Sequence, residues 1–473
     1  MDLSVAQASR DDGRQRFVTP LVTARGTTLL ITLGGVALAV AAFAVYRLTF
    51  VERYYDHFVW QASAFLEGQA GIRYPVLNDA ERFGNYFFQD VLPIGRAGGS
   101  ERGLIPFPPL PAVLLMPFVA AYGLRADDQL IFTAIAAVDV ALCWWMIGGL
   151  GVSTLVRTAV TVFFAFGTVF WYAAQNTTTW YQAHIAAVGI TLAAVGLALG
   201  ADERARPPST PRSAGIGLLA GLATLARLTT ILGLPFFLLV GPGRDTLRRV
   251  LAVAVGAAIP VAALIGYNLV TTGHVFHPAY DHLYQLEARA YTGLGYNPEW
   301  AAEDPRYLPQ NLGIMLFSTP IFFPDRFRDT LGTIDRPLCA DPGAVRRLFD
   351  ADCPIALPRD TGMSVLLTSP AFLLAVPAWF DRRRRRIVVA ALLAVLLISV
   401  ANLMHFSQGW VQFGYRFSND VVPYLLVLTA IGVAQLVDRP DRRRWTMPLA
   451  SGLIVLSIAI NLWGVDWGRV LGW

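Results

Sequence analysis

Long apolar runs recur along almost the whole of this 473-residue chain and are separated by shorter polar segments. Each run has about the twenty residues that a helix needs to cross roughly 30 Å of hydrocarbon. A water-soluble protein could not bury this much apolar surface, because 55% of the residues are hydrophobic and one core stops growing at roughly 250–300 residues. The sequence therefore predicts an all-α, multi-pass membrane protein that forms one transmembrane module over residues 1–473.

Arginine clusters between the apolar runs predict the topology. The net charge of +5 could indicate nucleic-acid binding, but short basic clusters beside membrane helices instead keep their loops in the cytoplasm. We therefore expect membrane lipids, and no nucleic acid, as partners. The clusters are Arg10–Arg25, Glu203–Arg206, Arg244–Arg249, Arg382–Arg386 and Arg442–Arg444.

An even number of crossings must separate each pair of cytoplasmic clusters, which predicts about eleven membrane helices, with an upper limit of roughly thirteen. The N-terminus then lies inside and the C-terminus outside. Both ends of residues 214–241 are basic, so this segment is predicted as a short hairpin or re-entrant pair that bends near Thr229. The other helices are predicted near residues 26–50, 128–150, 157–174, 183–201, 249–271, 362–380, 386–404, 419–437 and 446–464.

Two long polar segments, residues 51–105 and 273–361, fall on the outer side in this topology. Apolar residues at helical spacing after His57 predict an amphipathic juxtamembrane helix in the first segment. The apolar run 106–122 is predicted to lie along the outer interface, and a true crossing is the alternative. Because Ala is abundant and every basic residue is Arg, we expect a bacterial protein of the inner (cytoplasmic) membrane, with its site facing the periplasm or exterior.

The three cysteines are too few for a disulfide scaffold. Cys143 lies in an apolar run and is interpreted as a small core residue. Cys339 and Cys353 share the second outer segment, so they can pair if that segment faces an oxidising compartment, or remain free thiols.

No metal or other cofactor is predicted. His274, His277 and His282 carry atoms that can bind zinc, but their spacing fits no closed structural site. A plain polar loop is the stronger interpretation. The sequence also contains no Gly-rich phosphate loop or nucleophile elbow, which argues against nucleotide binding from the cytoplasm.

A carboxylate follows the first predicted helix at Asp56. At that position it can reach a lipid headgroup on one side and a soluble acceptor on the other. It can therefore serve as a general base for a hydroxyl that attacks a sugar carbon. The alternative is a solvated helix end with a mixed cluster of charges.

Arginines beside apolar runs are costly and often functional. Arg227, near the tip of the predicted hairpin, can clamp a lipid phosphate through two parallel hydrogen bonds, or it can snorkel to the interface. Arg416 precedes a helix and has Asp420 four residues on, so it can either pair with that carboxylate or bind phosphate. Arg102 is a third candidate for the phosphate.

The order of several short motifs resembles the GT-C superfamily of integral membrane glycosyltransferases, especially bacterial relatives of protein O-mannosyltransferases and of lipid A aminoarabinose transferase. The resemblance covers most of the chain. Its motifs are Asp56 with Ala62-x-x-x-Leu66-x-Gly68, Pro106–Pro111, Ala165–Thr168, Trp180-Tyr181-x-x-His184, Ala220–Ala223 with Arg227, and Gly414–Arg416.

This resemblance implies transfer of a sugar, with inversion, from a polyprenyl-phosphate donor to a lipid, glycan or protein acceptor. The base of the family maps onto Asp56, and a basic residue of the family maps onto Arg227. His57, His184 and Tyr415 are expected to contact the substrate. The common Asp-Glu pair is here Asp56 and His57, so Glu52 is the alternative base. Other carboxylates of the first outer segment are Asp79, Glu81, Asp90 and Glu101.

Two other functions compete with sugar transfer. A transporter or flippase would carry ionisable groups at the membrane midplane and paired, interrupted helices. A non-catalytic partner in envelope assembly would keep the helices and tolerate loss of Asp56.

Overall fold

In a computed structural model of the protein, the described residues are 19–52, 55–73, 90–97, 100–203, 209–241, 246–279, 297, 299–328, 335–409, 411–437 and 443–472. The chain is mostly helical, as the sequence predicts. Its helices are α1 (Thr19–Leu48), α2 (His57–Leu66), α3 (Leu110–Tyr122), α4 (Asp128–Gly148), α5 (Thr154–Gly167), α6 (Phe170–Asn176), α7 (Thr179–Glu203), α8 (Thr210–Thr224), α9 (Leu234–Leu239), α10 (Thr246–Thr272), α11 (Leu308–Phe317), α12 (Val365–Thr368), α13 (Arg385–Met404), α14 (Val422–Val437) and α15 (Arg443–Leu471). Short 3-10 segments are Gly123–Arg125, Leu228–Gly233, Pro305–Tyr307, Pro370–Phe380 and Arg416–Asp420.

Five of the described helices are long and apolar enough to cross a membrane, namely α4, α7, α10, α13 and α15. Helices α5 and α6 meet the same criterion together and count as a sixth if the pair is one span. The chain bends by 52° between them, because Thr168 adopts an extended backbone there. The other apolar helical stretches found among the described residues, which include Leu33–Leu48 of α1, are 10–17 residues long. The eleven crossings and their sidedness therefore remain a prediction.

The predicted bend near Thr229 is confirmed. Helix α8 ends at Thr224, the backbone of Arg227 is extended, and the chain then turns through a 3-10 segment into α9. Glycines hold α8 close to α10, since a Cβ at Gly217 would collide with the Val253 carbonyl. Such small residues let two helix backbones approach each other within a membrane.

Arginines at one end of the bundle bind carbonyls that helix ends leave without intrahelical partners. Arg249 donates three hydrogen bonds of 2.6–3.1 Å to carbonyls at the end of α9. Arg384 donates to the Leu150 carbonyl at 3.0 Å, and Arg386 to the Gly241 carbonyl at 3.1 Å. These contacts bring the first turns of α10 and α13 together with the chain ends of α4 and α9.

Helix α2 begins directly after Asp56 and packs against α3. The side chains of Phe58 and Ala62 are fully buried in this contact. The helix predicted in the first polar segment is thus confirmed, and its placement on the membrane surface stays a prediction. At the start of α3, the Leu110 amide donates to the Leu225 carbonyl, which joins α3 to the turn after α8.

The two polar segments also contain short strands, which the all-α prediction omitted because strands this short give no clear alternation. The strands are β1 (Ile72–Arg73), β2 (Leu92–Ala97), β3 (Ser100–Leu104), β4 (Ile321–Phe322), β5 (Arg326–Arg328), β6 (Asp335–Pro337) and β7 (Ala356–Leu357). They form an antiparallel sheet in the order β1-β3-β2 and two ribbons, β4 with β7 and β5 with β6. A Cys339–Cys353 disulfide closes a short loop within the second polar segment.

Some predicted positions fall outside what the structure describes. They are Arg10, Arg14, Arg16, Asp79, Glu81, Arg204, Arg206, Arg244, Asp281, His282 and Arg442, together with the side chains of Arg25 and Glu101.

Candidate active site

A buried carboxylate, Asp420, joins four parts of the bundle. It lies just before α14, and its side chain is fully shielded from solvent. The Arg227 guanidinium binds it with Nε at 3.2 Å and Nη2 at 2.9 Å. The three other groups that donate to it are Nδ1 of His184 (2.9 Å), the hydroxyl of Thr229 (2.9 Å) and Nδ2 of Asn402 (3.1 Å). The start of α7, the turn after α8 and the end of α13 therefore meet at one carboxylate.

Asp420 is ionised in this arrangement. The guanidinium charge of Arg227 and the hydrogen bonds from His184, Thr229 and Asn402 favour the charged form of this buried carboxyl. Since a carboxylate only accepts hydrogen bonds, the proton of neutral His184 lies on Nδ1. Of the two roles considered for Arg416, the ion pair with Asp420 does not form, because Arg227 takes that place.

The Arg416 guanidinium, at the other end of the same 3-10 segment, has no ionic partner among the described residues. Its centre lies 5.3 Å from the Phe417 ring and 6.0 Å from the Tyr181 ring. Among the described residues no carboxylate comes within ion-pair distance of it, and its Nε has no hydrogen-bond partner. Gly409, with φ +86°, leaves room for it, because a Cβ there would press on the guanidinium. Arg416 is therefore open to an anionic ligand.

Asp56 occupies the N-cap position of α2, yet its carboxylate makes no capping hydrogen bond. Burial raises the pKa of this carboxyl to about 6, because low-dielectric surroundings disfavour the charged form. Asp128, at the start of α4, lies close enough to interact with it electrostatically. A carboxylate with a raised pKa and no capping bond is suited to take up a proton.

Trp180 connects the Asp56 segment to the rest of the site. Its ring meets the Tyr55 ring edge-on at 5.0 Å and the His57 ring at 6.1 Å. His57 is buried and its Nδ1 lies 3.0 Å from the Thr179 hydroxyl. That hydroxyl gives its only proton to the Tyr55 carbonyl at 2.6 Å, so the proton in this pair lies on His57 Nδ1.

Asp90 lies beside this aromatic group. The Trp180 indole N–H donates to Asp90 Oδ2 at 2.8 Å. Burial raises the pKa of Asp90 to about 6, against the opposing effects of Trp180 and of the nearby Arg416 charge. Asp90 therefore contacts Trp180 directly, whereas Asp56 lies between two residues, Tyr55 and His57, whose rings contact Trp180.

Other predicted residues make separate contacts or are exposed. Arg102, on β3, donates to the Gly71 carbonyl at 3.2 Å and to Gln69 at 3.4 Å. The Tyr415 ring is buried and its hydroxyl donates to Gln408. Glu52, the alternative base, is exposed.

The histidines of the second polar segment form no metal site within the described residues. His274 is exposed, and His277 is buried with its Nδ1 accepting from the Ala279 amide at 3.2 Å. Burial lowers the pKa of His277 to about 4. No group of three His, Cys, Asp or Glu that could hold a metal occurs among the described residues.

Sequence reasoning missed the roles of Trp180, Asn402 and Thr229, and the only partner it considered for Asp420 was Arg416, not Arg227. A signal for the correct pair was present, because an arginine within an apolar segment needs a buried carboxylate to compensate it. Nothing in the sequence indicates which carboxylate that is, since Arg227 and Asp420 are 193 residues apart.

Comparisons of the chain with family models, with curated proteins and with solved structures gave no match.

Proposed function

We propose that the protein is an inverting glycosyltransferase that moves a sugar from a polyprenyl-phosphate donor to an envelope acceptor on the outer side of a bacterial inner membrane. The observation that supports this most is the open guanidinium of Arg416 in a cluster that also holds two carboxyls of raised pKa, Asp56 and Asp90. The aromatic group around Trp180 joins the two sides of that cluster.

Arg416 is proposed to hold the donor phosphate. A guanidinium forms two parallel hydrogen bonds with a phosphate, and its remaining charge stabilises the leaving group as the bond to the sugar breaks. Arg227 was the family-based candidate, but its Nε and Nη2 already bind Asp420. We therefore propose that Arg227 does not bind the phosphate itself. Its role is to position the segment on which Arg416 lies.

Asp56 is proposed as the general base. The acceptor hydroxyl oxygen attacks the anomeric carbon and forms the new C–O bond, while the bond from that carbon to the phosphate oxygen breaks. The electron pair leaves with the polyprenyl phosphate, and the hydroxyl proton passes to the Asp56 carboxylate. One displacement of this kind inverts the anomeric centre.

Transport is the second candidate, because one observation favours it. Asp139 lies in the middle of α4, is completely shielded from solvent, and its Oδ2 has no partner among the described residues. An ionisable group inside a membrane span is a common feature of transport pathways. A transporter would depend on Asp139, whereas the proposed transferase would depend on Asp56.

The two candidates are separated by Asp56→Asn and Asp139→Asn in the purified full chain in lipid nanodiscs. Farnesyl-phosphate-linked sugars serve as donors, solubilised envelope lipids and glycans as acceptors, and release of farnesyl phosphate reports transfer. We expect Asp56→Asn to lower the rate about 10²- to 10⁴-fold, and Asp139→Asn to change it little. Unchanged release by Asp56→Asn would remove Asp56 from the reaction.

Transport is measured with the same variants in sealed liposomes. Movement of a fluorescent polyprenyl phosphate between leaflets that requires Asp139, together with no sugar transfer by the unaltered chain, would contradict the proposed function and favour the second candidate.

A further inference from the structure

Asp90 is a carboxylate that the proposed reaction does not use. It is 6% exposed, so its charge is costly unless something compensates it. The indole N–H of Trp180 fixes Oδ2, and no hydrogen bond to Oδ1 is formed within the described residues. Since Oδ1 is not among the fully shielded polar atoms without a partner, it keeps a small exposed area.

Arg416 does not neutralise Asp90 by direct contact. The two groups interact electrostatically, but no ion pair between them occurs among the described residues, and the Arg416 guanidinium is the proposed phosphate site. A carboxylate beside a bound phosphate is unfavourable, because like charges repel. A ligand that also carries hydroxyl groups removes this conflict, since each hydroxyl can donate a hydrogen bond to the carboxylate.

We propose that Asp90 and Trp180 form a subsite for the sugar of the donor, in which Asp90 Oδ1 accepts hydrogen bonds from sugar hydroxyls. This inference rests on the proposed function and adds to it the group that distinguishes a sugar-bearing lipid phosphate from a bare one. Tyr55 meets the edge of Trp180 and the indole holds Oδ2, so the carboxylate is oriented before the ligand arrives. Such preorganisation reduces the entropic cost of binding.

The subsite differs from a phosphate site in what it recognises. Arg416 would bind any polyprenyl phosphate, whereas Asp90 would add affinity only when a hydroxyl-bearing sugar is attached. A purely structural Asp90 would give no such difference, because loss of the Trp180 contact would disturb both ligands alike.

The test measures binding of farnesyl phosphate and of farnesyl-phosphate-linked mannose, glucose, galactose and arabinose to the full chain in nanodiscs. We expect the unaltered chain to bind at least one glycosylated probe more tightly than bare farnesyl phosphate. Asp90→Asn keeps the shape and an acceptor for Trp180, and should weaken that glycosylated probe about tenfold. Binding of bare farnesyl phosphate should stay equal or become tighter, because a negative charge has been removed.

Asp90→Ala extends the series and should abolish the preference for the glycosylated probe. Asp325→Asn is the matched control, since Asp325 is an exposed carboxylate paired with Arg346 in the second polar segment, and both affinities should be unchanged. Equal weakening of both probes by Asp90→Asn, or an undiminished preference in both Asp90 variants, would overturn the subsite alone. An unaltered chain that binds none of the probes would instead overturn the proposed function, and the subsite with it.

Discussion

Replacing Arg227 or Arg416 by Met keeps the length of the side chain and removes its charge. The two replacements should affect different properties of the protein. Arg227 is paired with a carboxylate that is fully shielded from solvent. Arg416 has no ionic partner among the described residues and contacts aromatic rings instead. Loss of Arg227 should therefore lower the free energy of unfolding, and loss of Arg416 should lower donor affinity.

The magnitudes follow from the contacts. Two charges about 4 Å apart interact by roughly 4 kcal/mol at an effective dielectric constant of about 20, and removal of one partner of a buried pair costs about 3–5 kcal/mol. The Arg227 side chain is 22% exposed, which favours the lower end, about 3 kcal/mol. Arg416→Met loses two cation–π contacts of about 0.5–1 kcal/mol each and relieves an uncompensated charge. Arg416→Met should therefore change the free energy of unfolding by no more than about 1 kcal/mol in either direction.

Unfolding is measured by titrating the protein in mixed micelles with sodium dodecyl sulfate and following tryptophan fluorescence. Binding of farnesyl phosphate is measured on the same preparations. A double-mutant cycle of Arg227→Met with Asp420→Asn should give a coupling free energy of about 1–3 kcal/mol. If Arg416→Met destabilises the fold as much as Arg227→Met, or if the cycle is additive within about 0.5 kcal/mol, the assignment of the two arginines is incorrect.

Two further predictions concern pH and the disulfide. A general base must be unprotonated, and burial raises the pKa of Asp56 to about 6. Below that pH, kcat/KM for sugar transfer should therefore fall about tenfold per pH unit. A profile that stays flat down to pH 4 would exclude this carboxyl as the base. Cys339 and Cys353 should react with maleimide only after reduction. Cys143 is buried and free, so denaturation alone should make it reactive. Labelling of all three in denatured, unreduced protein from native membranes would contradict an oxidising location for the second polar segment.

The helices of the bundle could be predicted from the sequence because hydrophobic runs and arginine clusters are local signals. The run predicted near 386–404 is helix Arg385–Met404, and the one near 249–271 is helix Thr246–Thr272. The hairpin bend was also predictable, because two basic ends leave too few apolar residues between them for two complete crossings. The small sheets were not, because strands of two to six residues carry too little pattern.

The contacts of the site could be predicted only in part. Asp56 could be located from the predicted end of α1 alone. The partner of Arg227, in contrast, is Asp420, which lies 193 residues along the chain. Proximity in the sequence suggested Arg416 as one possible partner of Asp420, whereas in the structure Arg227 pairs with it. Asp90 was one carboxylate among several in its segment, and only the packing of Trp180 against it distinguishes it from the others.

The 3-10 segment from Arg416 to Asp420 accounts for how an uncompensated cation can persist beside apolar helices. At one end, Asp420 accepts hydrogen bonds from four side chains and ties the segment to three other parts of the bundle. At the other end, the guanidinium lies near the Phe417 and Tyr181 rings and interacts electrostatically with Asp90, which lowers the cost of its burial. The contacts of Asp420 thus hold the whole 3-10 segment in place, including Arg416. Arg416 keeps its position because Asp420 is anchored, even though no contact joins the two side chains.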